Sequence, residues 1–164
     1  MNIDFKPSAE SDKSERYRRF LQHYAALIEG ERDEISVMAN TAAALKEAFG
    51  FFWVGFYLVK SEQELTLGPF QGSIACYRIR KGRGVCGTAW EKACPLIVPD
   101  VDLFPGHIAC SSESRSEIVI PIIYNKVIKG VLDIDSDKTD SFDETDRKGL
   151  DGQPDGRHTV PMTY

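Results

Sequence analysis

The chain has 164 residues, 42% apolar and 27% charged, with a formal net charge of -5. That length suits one domain with a sizeable core, and the acidic balance gives no electrostatic reason for a nucleic-acid partner or an anionic membrane surface. No apolar run approaches the ~20 residues of a membrane span, and residues 1–19 lack the apolar region of a secretory signal. The expected setting is the cytoplasm, where structural disulfides are rare.

Residues 1–13 are polar and read as a flexible N-terminus. The domain proper is expected over 14–150. Tyr17, Phe20, Leu21, Tyr24, Leu27 and Ile28 recur at three- and four-residue steps, which predicts a helix from Ser14 to Glu29 that stops at Gly30. Asp33 is placed to cap a second helix, whose stripe of Ile35, Met38, Ala42, Leu45 and Phe49 ends at Gly50. Phe51 to Val59 is aromatic and β-branched and reads as a buried strand. Glu64 to Phe70 reads as its antiparallel partner, and Cys76 to Arg80 as a short strand. Val85 to Lys92 is a brief helix opened by glycines, and Leu96 to Val98 another short strand. Pro99 to Ser114 is a long irregular stretch of the kind that carries function in compact domains. Ser116 to Tyr124 and Val127 to Asp135 are strong strands joined at Asn125-Lys126 in a tight hairpin. A final helix begins near Asp143, with acidic residues in its first turn, and runs to Leu150. Residues 151–164, with two glycines and two prolines, read as an irregular tail. The order predicts an α+β fold with a mainly antiparallel central sheet flanked by helices.

Three of the four cysteines stand at loops or element ends. Cys76 follows Gly72-Ser73-Ile74-Ala75, Cys86 lies in Gly82-Arg83-Gly84-Val85-Cys86-Gly87, and Cys110 ends Phe104-Pro105-Gly106-His107-Ile108-Ala109-Cys110. A buried cysteine is ordinarily a small hydrophobe. Thiol chemistry instead needs access and a stabilised thiolate, which such loops provide. Cys94, before Pro95, reads as a structural bystander. No C-x-x-C pair is present, so neither a metal nor any other cofactor is expected.

Six segments together resemble the free methionine-(R)-sulfoxide reductases, single GAF-domain enzymes. They are Gly68-Pro69-Phe70-Gln71-Gly72, the Gly82 to Gly87 loop, Val98-Pro99-Asp100-Val101, Phe104 to Cys110, Ser114 to Val119, and Gly130-Val131-Leu132-Asp133-Ile134-Asp135-Ser136. The resemblance implies a GAF-like fold, with helices on one side of the sheet and a ligand pocket under loops on the other. It implies thiol-dependent reduction of free L-methionine (R)-sulfoxide through a cysteine sulfenic acid and an intramolecular disulfide, with thioredoxin restoring the enzyme. A homodimer is a family expectation. By motif, Cys110 resembles the attacking cysteine, Cys86 the residue that forms a disulfide with it, and Cys76 a further resolving thiol that passes the oxidation on. Glu117, Asp133 and Asp135 resemble substrate-binding carboxylates, and Trp53 and Tyr57 the aromatic pocket wall. The alternative is a non-catalytic GAF sensor of a small molecule or of oxidant.

The chemistry accounts for these residue types. Reducing a sulfoxide with thiols needs a nucleophilic thiolate, a proton for the departing oxygen, and a second thiol to condense with the sulfenic acid. Acids packed together repel one another, so one of them is held protonated near neutrality. The others bind the α-ammonium that distinguishes a free amino acid from a residue in a peptide. Asp133 and Asp135 share a strand face. Counting from the hairpin turn sets Glu117 opposite Val131 to Leu132 or somewhat beyond. His107 reads as a loop histidine bonded to backbone, with stabilisation of the Cys110 thiolate as the alternative. The helix after Asp143 lacks the long amphipathic continuation of the family pattern.

Overall fold

The computed structural model describes residues 3–6 and 12–151. The expectations for segment 1–13 and for the tail 151–164 lie largely outside that range. Within it, Phe5 rests its ring 5.5 Å from Phe20.

Two helices open the domain, α1 (Lys13–Ile28) and α2 (Glu34–Phe49). Each starts on an aspartate whose carboxylate accepts a backbone N–H three residues on, Asp12 from Glu15 and Asp33 from Ser36. The second ends at Gly50, whose φ of 68° is a left-handed cap that L side chains rarely adopt. Strands β1 (Trp53–Val59), β2 (Glu64–Gln71) and β3 (Arg78–Arg80) follow, then α3 (Gly84–Lys92) and β4 (Leu96–Val98). The long stretch after Pro99 carries a single 3-10 turn at Val101–Leu103. Strands β5 (Ser116–Tyr124) and β6 (Val127–Ser136) and helix α4 (Glu144–Asp151) complete the order. The strand expected from Cys76 begins only at Arg78, so Cys76 sits in the loop before it.

The six strands form one antiparallel sheet in the order β3-β2-β1-β6-β5-β4. Its central strands are β1 and β6, and β6 forms a hairpin with β5 whose turn residues Asn125 and Lys126 have φ of 48° and 63°. Positive φ at both positions is the primed turn that matches strand twist. One face holds Val54, Phe56, Ile118, Ile120, Ile122, Leu132 and Ile134 under α1, α2 and α4. At about 2 kcal/mol per fully buried apolar side chain, this face is the principal source of stability. The α1–α4 contact is clasped by buried Asp146, which accepts from Tyr17 at 2.8 Å and from Lys13 at 2.7 Å. The opposite face holds Trp53, Tyr57, Val119 and Val131 against α3 and the loops. The helices therefore do not all lie on one side, because α3 helps to roof the pocket.

Candidate active site

Strand alternation aims Glu117, Asp133 and Asp135 away from the helix-covered core. Glu117 pairs with Asp135 across the hairpin and Val119 with Asp133. The partner lies beyond the counted Val131 to Leu132, at the outer end that the expectation left open. A two-residue turn by itself sets Glu117 opposite Ile134, and an irregularity next to Ile122/Ile123 gives β6 one extra residue, which moves the partner to Asp135. Trp53 lies beside Asp135 on β1 and Gly55 beside Asp133. Glu117, Asp135 and the indole of Trp53 therefore share one row across three strands, with Asp133 in the next row of the same face.

Two glycines lay Trp53 flat. A Cβ on Gly55 would come within 2.6 Å of the indole, and one on Gly72 within 2.4 Å. The indole stacks on Phe70 at 5.3 Å and on Tyr57 at 6.2 Å, and its Nε1 donates to the Ser73 carbonyl at 2.9 Å. The Tyr57 hydroxyl donates to the Cys76 carbonyl at 3.0 Å, tying the pocket wall to the cysteine loop. Both aromatics are buried and both face the pocket.

The pocket beside them encloses about 40 Å³, room for a few waters. Trp53, Tyr57, Cys86, Cys110, Glu117, Asp133 and Asp135 all line it. The sequence reasoning passed over Ile108, Ser111 and Ser114, which also line it. They stand in the long loop, where no periodicity marks which side chains turn inward.

Cys110 is bonded to Cys76, with an S–S distance of 2.02 Å. The pairing of Cys110 with Cys86 implied by the family motifs is therefore not the one formed. Cys86 sits in the first turn of α3, 3% exposed, and lines the inside of the pocket. Its thiol is free and donates to Glu117 Oε1 at 3.8 Å. Cys76 and Cys110 stand instead on two loops that meet over the pocket mouth, with Cα atoms 5.4 Å apart. Cys94 is also free, and it does not line the pocket.

Burial dominates the electrostatics. Glu117 and Asp133 are each 6% exposed. Desolvation, then repulsion from Asp133 and Asp135, raises the Glu117 pKa well above the usual range. Desolvation raises Asp133 to about 6 even though hydrogen bonds with Glu117 and Cys86 favour its charged form. Asp135 is raised by burial and then by Asp133. The Cys86 thiol is pushed up by burial and by the three acids around it. Burial and mutual repulsion thus both favour the protonated forms of the carboxyl groups on this floor. Asp133 Oδ1 is buried without a hydrogen-bond partner.

His107 turns its ring into the pocket, with Nε2 4.0 Å from Glu117 Oε2. Burial lowers its pKa, so the imidazole is neutral at pH 7 and the contact is not an ion pair. Arg115 lies 4.0 Å from Asp102 on the surface.

A curled antiparallel sheet with a roofed pocket on one face defines a GAF domain, and the GAF-domain family model matches residues 31–152. The chain is 61% identical to GAF domain-containing protein A of Dictyostelium discoideum, over 87% of this chain and 90% of that one. It is 46% identical to the free methionine-R-sulfoxide reductase of Escherichia coli, over 85% of this chain and 84% of that one. The solved structure of the free methionine-R-sulfoxide reductase of Neisseria meningitidis in complex with its substrate superposes with a TM-score of 0.82 at 55% identity, covering 84% of this chain and 83% of that one. The chain belongs to the free methionine-R-sulfoxide reductase family of oxidoreductases.

Proposed function

We propose that the protein reduces free L-methionine (R)-sulfoxide to L-methionine, with Cys110 as nucleophile and Cys76 as the resolving thiol. The observation that carries this reading is the Cys76–Cys110 bond at the mouth of a pocket floored by three carboxyl groups, of which Glu117 and Asp133 are buried.

With the bond reduced, the Cys110 thiolate attacks the sulfoxide sulfur. A proton from a pocket carboxyl group goes to the sulfoxide oxygen, and Glu117 is the donor best supported because burial and two neighbouring acids hold its proton on. Methionine leaves and Cys110 is left as the sulfenic acid. The Cys76 thiolate then attacks the Cys110 sulfur, water departs, and the disulfide forms. The carboxylates that remain charged bind the substrate's ammonium, and the Trp53 face receives its S-methyl end.

The disulfide must be reopened by an external dithiol, and thioredoxin is the reductant proposed. Its access is supported by the exposure of the chain around Cys76, where Ile74 is 89% and Tyr77 76% exposed. Attack on Cys76 releases Cys110 as the thiolate, ready for the next turnover. Reduced dithiols of this kind persist in the cytoplasm, the location proposed. Among the described residues no helix is long and apolar enough to cross a membrane. Every residue in the scheme lies in one chain, so a homodimer is no requirement for it. A small-molecule sensor built on the same pocket would have no use for a dithiol at its mouth, whereas an oxidant sensor would use it without turning over the sulfoxide.

The test is to incubate the protein with dithiothreitol and racemic free methionine sulfoxide and to follow each epimer. Loss of the R epimer alone is expected. An unchanged R epimer would sink the reductase reading and favour the sensor.

A further inference from the structure

Cys86 lies in the pocket yet takes no part in the dithiol that cycles. Its surroundings are a set of metal donors. The Cys86 sulfur, one oxygen of Glu117 and one of Asp133 all lie within 4.8 Å of one another, and all three residues are buried. The sulfur is 3.8 Å from Glu117 Oε1, and His107 Nε2 is 4.0 Å from Glu117 Oε2. Zinc bonds of about 2.0–2.3 Å in a tetrahedron put donors roughly 3.3–3.8 Å apart, so a contraction of at most about 1.5 Å closes the set of three.

Asp133 supplies the independent sign of a ligand. Its Oδ1 is buried without a hydrogen-bond partner in a pocket open to solvent at the mouth. A buried carboxylate oxygen left bare is costly unless something positive occupies the space beside it. An ammonium group satisfies oxygens but has no use for a sulfur ligand. A thiolate with two carboxylates suits zinc, and is a poor match for magnesium or calcium, which take oxygen ligands.

We propose that Cys86, Glu117 and Asp133 bind a zinc-class dication in the pocket, with a fourth position left open. On binding, the Cys86 S–H proton leaves to solvent and the sulfur bonds to the metal as thiolate, with no change of oxidation state. The metal uses the carboxylates assigned above to the substrate's ammonium. It therefore acts as a reversible blocker of turnover, a consequence that rests on the reductase reading, whereas the binding itself does not.

The experiment uses the full chain in its oxidised form, with Cys76–Cys110 closed, in a Cys94→Ser background where Cys86 is the remaining thiol. Cobalt(II) chloride is titrated as the spectroscopic probe. The expected result is one equivalent bound, with near-ultraviolet thiolate-to-cobalt absorption that zinc chloride displaces and that Cys86→Ser abolishes. Cobalt binding without that absorption, or absorption that survives Cys86→Ser, overturns the proposal. A second measurement needs no variant at the site: the alkylation rate of Cys86 by iodoacetamide, read by mass spectrometry. Zinc chloride is expected to slow it at least about tenfold, and magnesium chloride at the same concentration to leave it unchanged. A zinc rate equal to the metal-free rate, or equal protection by magnesium, overturns the proposal. Neither measurement involves methionine sulfoxide, so their failure is separate from a failure of the reductase reading.

Discussion

The two faces of one sheet divide the work of this protein. On β5 and β6 the even-numbered core residues Ile118, Ile120, Leu132 and Ile134 lie under three helices, and no titratable group interrupts them. The odd-numbered residues between them include Glu117, Asp133 and Asp135, all facing a pocket. Neighbouring side chains a few ångströms apart along the same strand thus meet opposite environments. The apolar face gains free energy from burial. The pocket face loses some of that gain, since it keeps acids out of water without a cation to balance them. Stability comes from the first face and chemistry from the second, and substitutions should separate the two.

The sharpest break is expected from Cys110→Ser. Measured on reduced protein, turnover of the R epimer should fall at least about a thousandfold, while the melting temperature stays near that of the reduced parent. Full activity in this variant would place the nucleophile elsewhere. On the other face, Ile134→Ala should cost about 3 kcal/mol of unfolding free energy through the cavity it leaves. Its rate per folded molecule should stay within a few-fold of the parent, and a large loss of rate would show that the faces are coupled.

Asp133→Asn should act in the opposite direction on stability. The folded chain holds the Asp133 proton up to about pH 6, whereas an ordinary aspartate releases it near 3.8. Between those values the native state binds more protons than the unfolded one, so stability falls as pH rises. The loss is complete above about pH 7 and amounts to at most about 3 kcal/mol. Urea unfolding should therefore find Asp133→Asn more stable than the parent at pH 8, by about 1–2 kcal/mol, with the gap closing toward pH 4. A gap that stayed constant with pH would mean that Asp133 does not carry the strain. The same variant should raise KM for the substrate through loss of a partner for its ammonium.

The smallest effect is expected at the α1–α4 clasp. Tyr17→Phe removes one hydrogen bond to buried Asp146, which keeps its contact with Lys13. A loss of about 1–2 kcal/mol is expected, with KM and kcat unchanged. A change in KM would connect the clasp to the pocket on the far side of the sheet.

Much of this was legible in the chain itself, for a local reason. The helix stripes, the aspartate caps and the left-handed Gly50 are each read within a few residues, and the elements fall where those signals put them. The alternation of Glu117 with Ile118 and of Asp133 with Ile134 needs only period-two geometry, which set the acids on the face away from the core, while the resemblance made that face a pocket. Tertiary packing decided the rest. Glu117 meets Asp135 because β6 carries one irregular residue near the turn, a detail no alternation reveals. Cys110 bonds to Cys76, 34 residues away, because those two loops cross over the pocket mouth while the first turn of α3 holds Cys86 beneath it. Which thiols meet depends on how distant loops pass one another, and that is set by the packing of the sheet as a whole rather than by the residues beside each cysteine.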